Sequence, residues 1–178
     1  TGYVVGNYGY VLKSVDNGVS WSQISTEFNS SFNTVNIIDD NNVILSTSNS
    51  IVKTDDGGTT WESLSIPNSA VNKTSFTSSL VGHAVCNNGI ILKTIDGGQN
   101  WYITRDNSNI TPSDYFTVYF VNENIGFSTQ EHSDMFKTTD GGETWVEVTG
   151  INNAIYSIYF LDENIGYATG DHGVIFKT

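Results

Sequence analysis

One signature recurs four times in phase along this chain: Ser or Thr, then Asp two residues later, then Gly, then Trp, as [Ser/Thr]-x-Asp-x-Gly-x-x-Trp. The copies occupy residues 14–21, 54–61, 94–101 and 138–145. Their tryptophans (Trp21, Trp61, Trp101, Trp145) are the only ones present and lie 40, 40 and 44 residues apart. The intervening segments are short apolar runs separated by turn residues. A period near 40 of this kind predicts stacked β units, each burying its faces only against its neighbours.

The fourth period shows the internal order most clearly. Residues 115–121, 125–130, 134–138 and 145–149 are rich in aromatic and β-branched residues and are predicted strands. Turns fall at 122–124, at 131–133 and at the Asp signature. Four short antiparallel strands in 40 residues make one blade of a β-propeller. The same frame divides residues 1–178, as a single array, into blade parts at about 1–26, 32–65, 72–105, 115–149 and 155–178. The count is three strands, three sets of four, then three more, about four and a half blades. That count is expected to be part of a larger ring, for example of seven blades, in preference to a small and imperfectly closed one.

Each signature carries its own turn chemistry. The carboxylates of Asp16, Asp56, Asp96 and Asp140 are placed to accept backbone N–H groups across the turn. Gly18, Gly58, Gly98 and Gly142 permit a left-handed backbone. The tryptophans then lead into the next strand and pack between neighbouring elements. Ser14, Thr54, Thr94 and Thr138 are placed to bond backbone at the turn entrance. Lys13, Lys53, Lys93, Lys137 and Lys177 recur in the same phase, which predicts a carboxylate partner or a cross-strand contact. Gly9, Asn49, Gly89, Ser133 and Gly173 align between strands two and three, predicting tight hairpins with positive φ.

The four signatures match the Asp-box, or bacterial neuraminidase repeat. The segments GYVVGNYGYVLKSVDNGVSW (residues 2–21) and GYATGDHGVIFKT (residues 166–178) resemble propellers of the photosystem II assembly-factor type. Related Asp-box propellers include sialidases, xyloglucan-degrading glycosidases and the sortilin ectodomain. The resemblance spans nearly the whole chain and identifies fold better than function. It implies a binding face built from the strand two-to-three turns and the links between blades, opposite the Asp boxes. Carried over, that face contains Tyr8, Asn88, Glu131, His132, Asp171 and His172. The links are 26–33, 67–73, 106–114 and 150–154, the least repetitive segments, where function tends to reside.

Composition narrows the partners. Nineteen acidic against seven basic residues give a formal net charge of −12, which disfavours nucleic acid and anionic membranes. No apolar run is long enough to span a bilayer as a helix. The single cysteine, Cys86, sits in an apolar stretch and reads as a core residue. Asn-x-Ser/Thr sites at Asn29, Asn72 and Asn109 are no more than this composition gives by chance. A sialidase needs an arginine cluster, and Arg105 is the one arginine. For a two-carboxylate glycosidase the candidates are Glu131, Asp171, Asp106 and Asp114, with no pair singled out. His132 and His172 with Glu131, Asp134 and Asp171 are the best candidate metal cluster, although turn residues of these types need no metal. His83 reads as a packed strand residue. Asp39, Asp40, Glu123, Asp162 and Glu163 lie in strand one-to-two turns, where turn chemistry is a simpler reading than calcium. Tyr8, Phe28, Phe32, Tyr115 and Tyr156 are aromatic candidates for a binding platform or for blade packing. The expected function is a non-enzymatic scaffold or binding module for a protein or glycan, without cofactor or structural metal, outside the cytoplasm. A glycoside hydrolase or carbohydrate-binding propeller using loop carboxylates is the alternative.

Overall fold

The computed structural model describes residues 1–66, 70–109, 113–131 and 134–178. Among them, eighteen strands form five antiparallel sheets of three or four strands. The chain divides into two compact units, Thr1–Val71 and Asn72–Thr178.

Unit one holds two sheets. The first is β1 (Gly2–Val5), β2 (Val11–Ser14) and β3 (Ser22–Ile24). The second is β4 (Thr34–Ile37), β5 (Val43–Ser46), β6 (Ser50–Thr54) and β7 (Glu62–Ser65). Tyr3, Val11, Phe32, Val43, Leu45 and Val52 form the core between them. Phe32, a candidate for the aromatic platform, is therefore a packing residue. Its ring leaves water because the linker that carries it crosses from one sheet to the next.

Unit two holds three sheets. β8 (Val71–Phe76) opens at the unit boundary and is followed by β9 (Gly82–Cys86), β10 (Ile90–Thr94) and β11 (Tyr102–Asp106). Next come β12 (Tyr115–Phe120), β13 (Gly126–Gln130), β14 (Met135–Thr138) and β15 (Val146–Glu147). The last sheet is β16 (Ile155–Phe160), β17 (Gly166–Gly170) and β18 (Ile175–Lys177). Every residue of β13 is buried, because its sheet is packed on both faces. Such a strand reads as continuously apolar or small, without alternation. Tyr115, another platform candidate, is fully buried, and its phenol is pushed up to about 12 chiefly by that burial. The fourth strand of this sheet is shorter than its sequence predicts, with one further bond, Val148 N–H to Met135 O at 2.7 Å, extending it.

A glycine opens the second strand of each sheet in unit two for a steric reason. A Cβ on Gly82, Gly126 or Gly166 would lie 2.4–2.6 Å from the ring of Phe76, Phe120 or Phe160. Each phenylalanine ends strand one and lies across the next strand. Two of these rings meet an Asp-box tryptophan edge-on, Phe76 with Trp101 at 6.0 Å and Phe120 with Trp145 at 5.9 Å.

The four Asp boxes share one hydrogen-bond network. The hydroxyl of Ser14, Thr54, Thr94 or Thr138 donates to the box carboxylate and accepts the N–H of Gly18, Gly58, Gly98 or Gly142. The carboxylate also accepts backbone and side-chain bonds from the residue before the tryptophan: Ser20, Thr60, Asn100 or Thr144. The indole N–H returns to the glycine carbonyl at 3.1–3.2 Å. These glycines have φ between +85° and +95°. Bonds from Ser20 and Ser14 lower Asp16 to about 2. Those from Asn100 and Thr94 do the same for Asp96, and those from Thr144 and Thr138 for Asp140. Thr60 and Thr54 hold Asp56 lower still. A carboxylate accepting several donors favours its charged form.

The first box glycine joins two sheets. Gly57 and Gly141 donate their N–H to Asn41 and Asn124 in the strand one-to-two turn of the same sheet. Their carbonyls accept from the preceding sheet: Lys13 Nζ at 2.6 Å and the Tyr3 hydroxyl at 3.1 Å on Gly57, and His83 Nε2 at 2.9 Å on Gly141. His83 is buried and stacked on Phe120 at 3.7 Å, as expected for a packed strand residue. Burial, partly offset by the bond to Gly141, lowers its imidazole to about 4.

The repeated lysines differ in their partners. Lys53 and Lys93 pair with Glu62 and Glu143, at 3.7 and 2.8 Å. Lys13, Lys137 and Lys177 lie over the rings of Tyr3, Phe127 and Tyr167, which are their cross-strand neighbours. Glu62 is the cross-strand neighbour of Lys53, whereas Lys93 has His83 and Tyr102 opposite and reaches Glu143 fifty residues on.

Candidate functional site

The strand two-to-three hairpins carry the candidate residues. Tyr8, Asn88 and His172 have φ of +57°, +59° and +56°, each followed by a glycine at +71° to +75°. Two consecutive left-handed residues make the twisted hairpin turn that antiparallel strands favour. The expected positive φ at Gly9, Gly89 and Gly173 is present. Asn49 does not share it: Thr47 Oγ1 accepts the N–H groups of Asn49 and Ser50, and that side-chain cap gives a different turn. His132 and Ser133 lie outside the described residues.

The hairpins lean on the links beside their sheets, those at Gly9 and Asn88 on the link that follows and those at Glu131 and Asp171 on the link that precedes. Gly9 N–H donates to Ser30 O at 2.7 Å, and Thr26 Oγ1 donates to Gly9 O at 3.3 Å. Asn88 N–H donates to Asp114 Oδ1 at 2.9 Å, and Glu131 N–H to Asp114 O at 2.9 Å. Asp171 N–H donates to Ala154 O at 3.0 Å, while the Tyr156 hydroxyl donates to Asp171 Oδ1 at 2.6 Å. That bond, with burial and the Asp171 and Glu131 charges, raises the Tyr156 phenol. Within each unit, hairpins and links thus meet through hydrogen bonds; residues 67–69 and 110–112 of the links lie outside the described residues.

In unit one this arrangement encloses a cleft of about 380 Å3, lined by Tyr8, Gly9 and residues 23–28. Tyr8 is 81% exposed, so nothing in the unit covers its ring. Glu27 also lines the cleft, exposed, with φ +60°. A non-glycine residue in this region is strained, and here two of them line one cleft. Phe28 lines the same cleft and packs partly on the unit-one core. An exposed ring, a free-standing carboxylate and polar strand-edge groups suit an extended peptide with a basic or hydroxyl side chain. Sequence reasoning named Tyr8, Phe28 and the 26–33 link but passed over Glu27, because no turn signature marks a left-handed glutamate.

Most other candidate carboxylates are engaged in their loops. Asp106 accepts from Ser108, Asp114 from Asn88 and Asp171 from Tyr156. In the one-to-two turns, Asp39 accepts from Asn41 and Asn42, Asp162 from Asn164 and Ile165, and Glu163 from Asn122. Among the described residues no group of three or more His, Cys, Asp or Glu converges as a metal site. Arg105 lies over the Phe136 ring at 4.3 Å and donates to Trp145 O, so its guanidinium is used in packing. Among the described residues no helix is long and apolar enough to cross a membrane.

Comparison with known proteins bears on this geometry. The family model described as photosynthesis system II assembly factor YCF48 matches residues 1–72. No curated protein matches the chain. Among solved structures, YCF48 from Cyanidioschyzon merolae is 14% identical with a TM-score of 0.78, over 98% of this chain and 65% of its own. The present chain therefore spans about two thirds of that relative's length. A structure of YCF48 bound to D1 peptide is 16% identical with a TM-score of 0.62, over 99% of this chain and 74% of its own. A GH74 enzyme from Niastella koreensis is 15% identical with a TM-score of 0.76, over 98% of this chain and 33% of its own. Identities this low establish the fold, a β-propeller of Asp-box type, and leave function to the site.

Proposed function

We propose that this chain is a protein-binding propeller module that takes an extended peptide segment of its partner at the Tyr8 cleft. The observation that carries the reading is the cleft itself: an 81% exposed tyrosine and an exposed glutamate, both left-handed, line one open polar groove. Strain held at two non-glycine positions is commonest at ligand sites. Two comparisons support it. The stretch matched by the assembly-factor model, residues 1–72, contains the whole cleft, and a structural relative binds a D1 peptide. The net charge of −12 favours a segment with basic side chains. The same proposal includes a location outside the cytoplasm, on composition alone, which fractionation of the native host would check.

The test is a titration of fluorescent D1 peptide, followed by selection from a displayed peptide library, against wild type and Tyr8→Ala. Capture that drops at least tenfold in Tyr8→Ala supports the proposal. Failure of both probes, or capture indifferent to Tyr8, would sink it. The glycosidase alternative has no observation in its favour beyond fold, since three of its four candidate carboxylates are held in loop hydrogen bonds.

A further inference from the structure

Among the described residues, the strands that lead into the links, β3, β7, β11 and β15, each pair on one side only. Such edges invite pairing with other chains, and proteins guard them with charge, bulges or shortness. β7 opens with Glu62. β11 carries Arg105 and Asp106 and is kinked where the register shifts between Ile91 and Leu92. β15 has two residues, one of them Glu147. β3 has no such guard: Ser22, Gln23 and Ile24 are uncharged and pair with β2 in unbroken register.

The corner beyond β3 also closes differently. Ile66 N–H donates to Asn49 O at 3.0 Å, and Asn107 N–H to Gly89 O at 3.1 Å, so there the backbone seals the outer strand onto its hairpin. Thr26 stands in the phase of Ile66, because Ile24 opposes Val11 as Leu64 opposes Ile51. At this place the Gly9 carbonyl accepts the Thr26 hydroxyl, and the Gly9 N–H goes to Ser30 O. The chain leaves the ladder after Ile24, and residues 23–28 line the cleft beside Tyr8. Alternation then fixes which groups face outward. Gly6 N–H donates to Tyr10 O, so Tyr10 faces β1 and Val11 faces β3. Ile24, opposite Val11, turns its N–H and C=O toward β2, and Gln23 and Ser25 turn theirs to the open edge.

We propose that the partner segment is a basic strand that adds antiparallel to β3, bonding Gln23 and Ser25 through its backbone and presenting a lysine or arginine to Glu27. This rests on the Tyr8 cleft reading and adds the mode of binding and the residue that sets specificity. Backbone pairing supplies affinity for any extended segment, and the side chains at the end of the edge select among them. The selection is for a cation: Glu27 is exposed, Tyr8 offers an aromatic face, and no Lys, Arg or His lines the cleft.

The probe is an acetylated, amidated heptapeptide of alternating threonine and lysine, titrated into 15N-labelled protein. Companion peptides carry glutamate for lysine, or an N-methyl group on every amide. The expected result is saturable slowing of amide exchange at Gln23 and Ser25, with the N-methylated peptide roughly tenfold weaker or worse. Glu27→Gln, at an exposed position, is expected to weaken the lysine peptide about threefold and leave the glutamate peptide no weaker than before. Binding that needs Tyr8 yet leaves exchange at Gln23 and Ser25 unchanged, or that survives N-methylation, overturns strand addition while the cleft reading stands. Equal affinity for the lysine and glutamate peptides overturns the role of Glu27. No binding of the lysine peptide at millimolar concentration overturns the whole inference, whereas the cleft reading is decided separately by its own two probes. Slowed exchange at β3 that follows protein concentration alone, with a doubled mass in light scattering, also overturns it and assigns the edge to a second copy of the chain.

Discussion

Each blade has two kinds of corner, and they are built on opposite principles. The Asp-box corners are held from within: hydroxyl, carboxylate, glycine and indole close the same network four times. The strand two-to-three hairpins are held from outside, each by whichever link happens to run past it, through Ser30, Asp114 or Ala154. A corner that closes on its own hydroxyl, carboxylate and indole can be copied from blade to blade, with the bonds from a neighbouring sheet to Gly57 and Gly141 added to that closed network. A corner that depends on a variable neighbour can change with that neighbour, and so can acquire a ligand. The strained Tyr8 and Glu27 belong to the second kind.

The contrast is sharpest at the buried box. Trp145→Ala is expected to cost about 3–5 kcal/mol in urea denaturation, as for other buried aromatic truncations. Trp21→Ala, at a ring 42% exposed, should cost a small fraction of that. Equal losses would mean that the boxes are not defined by their packing.

Next in size is the pH dependence of the clamp on Gly141. His83 is neutral in the fold, with its imidazole near 4, while the unfolded chain takes up the proton near 6.5. Its contribution is complete above pH 6.5 and is lost as pH falls toward 4, by roughly 3 kcal/mol at the acid end. His83→Gln should flatten this limb. The lowered Asp16, Asp96 and Asp140 carboxylates act in a second, lower window. Their stabilisation is present above pH 3.8 and lost as pH falls through about 2. An upper limb that survives His83→Gln assigns it to another group.

Thr138→Val tests the box from its hydroxyl. It leaves the buried Gly142 N–H without its acceptor, and a loss of about 1–3 kcal/mol is expected by thermal or urea unfolding. The smallest effect, of opposite sign, belongs to the hairpin. Tyr8→Gly relieves a left-handed tyrosine and should leave stability unchanged or raise it by up to about 1 kcal/mol. If Tyr8→Gly destabilises as much as Thr138→Val, the hairpin is structural and the comparison collapses.

The same contrast explains what could be read from the sequence. Asp56, Gly58 and Trp61 recur at fixed spacing because their partners lie within eight residues, so local order, strand count and sheet composition were legible. The hydroxyl's double role, donating to Asp and accepting from Gly, was legible only as a placement at the turn entrance. Partners 40 or more residues away left no local trace. Nothing near His83 or Lys13 marks the carbonyls of Gly141 and Gly57 as their acceptors. For Tyr115 and Phe32 the sequence left platform and blade packing open, and burial assigns both to packing. At the site, Tyr8 was legible as a hairpin residue and Glu27 was not, since no turn signature marks a left-handed glutamate.

Gly57 and Gly141 each bond the turn of their own sheet through N–H and a side chain of the preceding sheet through C=O. Opening either sheet therefore strips a bond from the other, so the two protect one another's amides. Native-state hydrogen exchange would then release blades in coupled pairs, joined at a glycine that has no side chain to contribute.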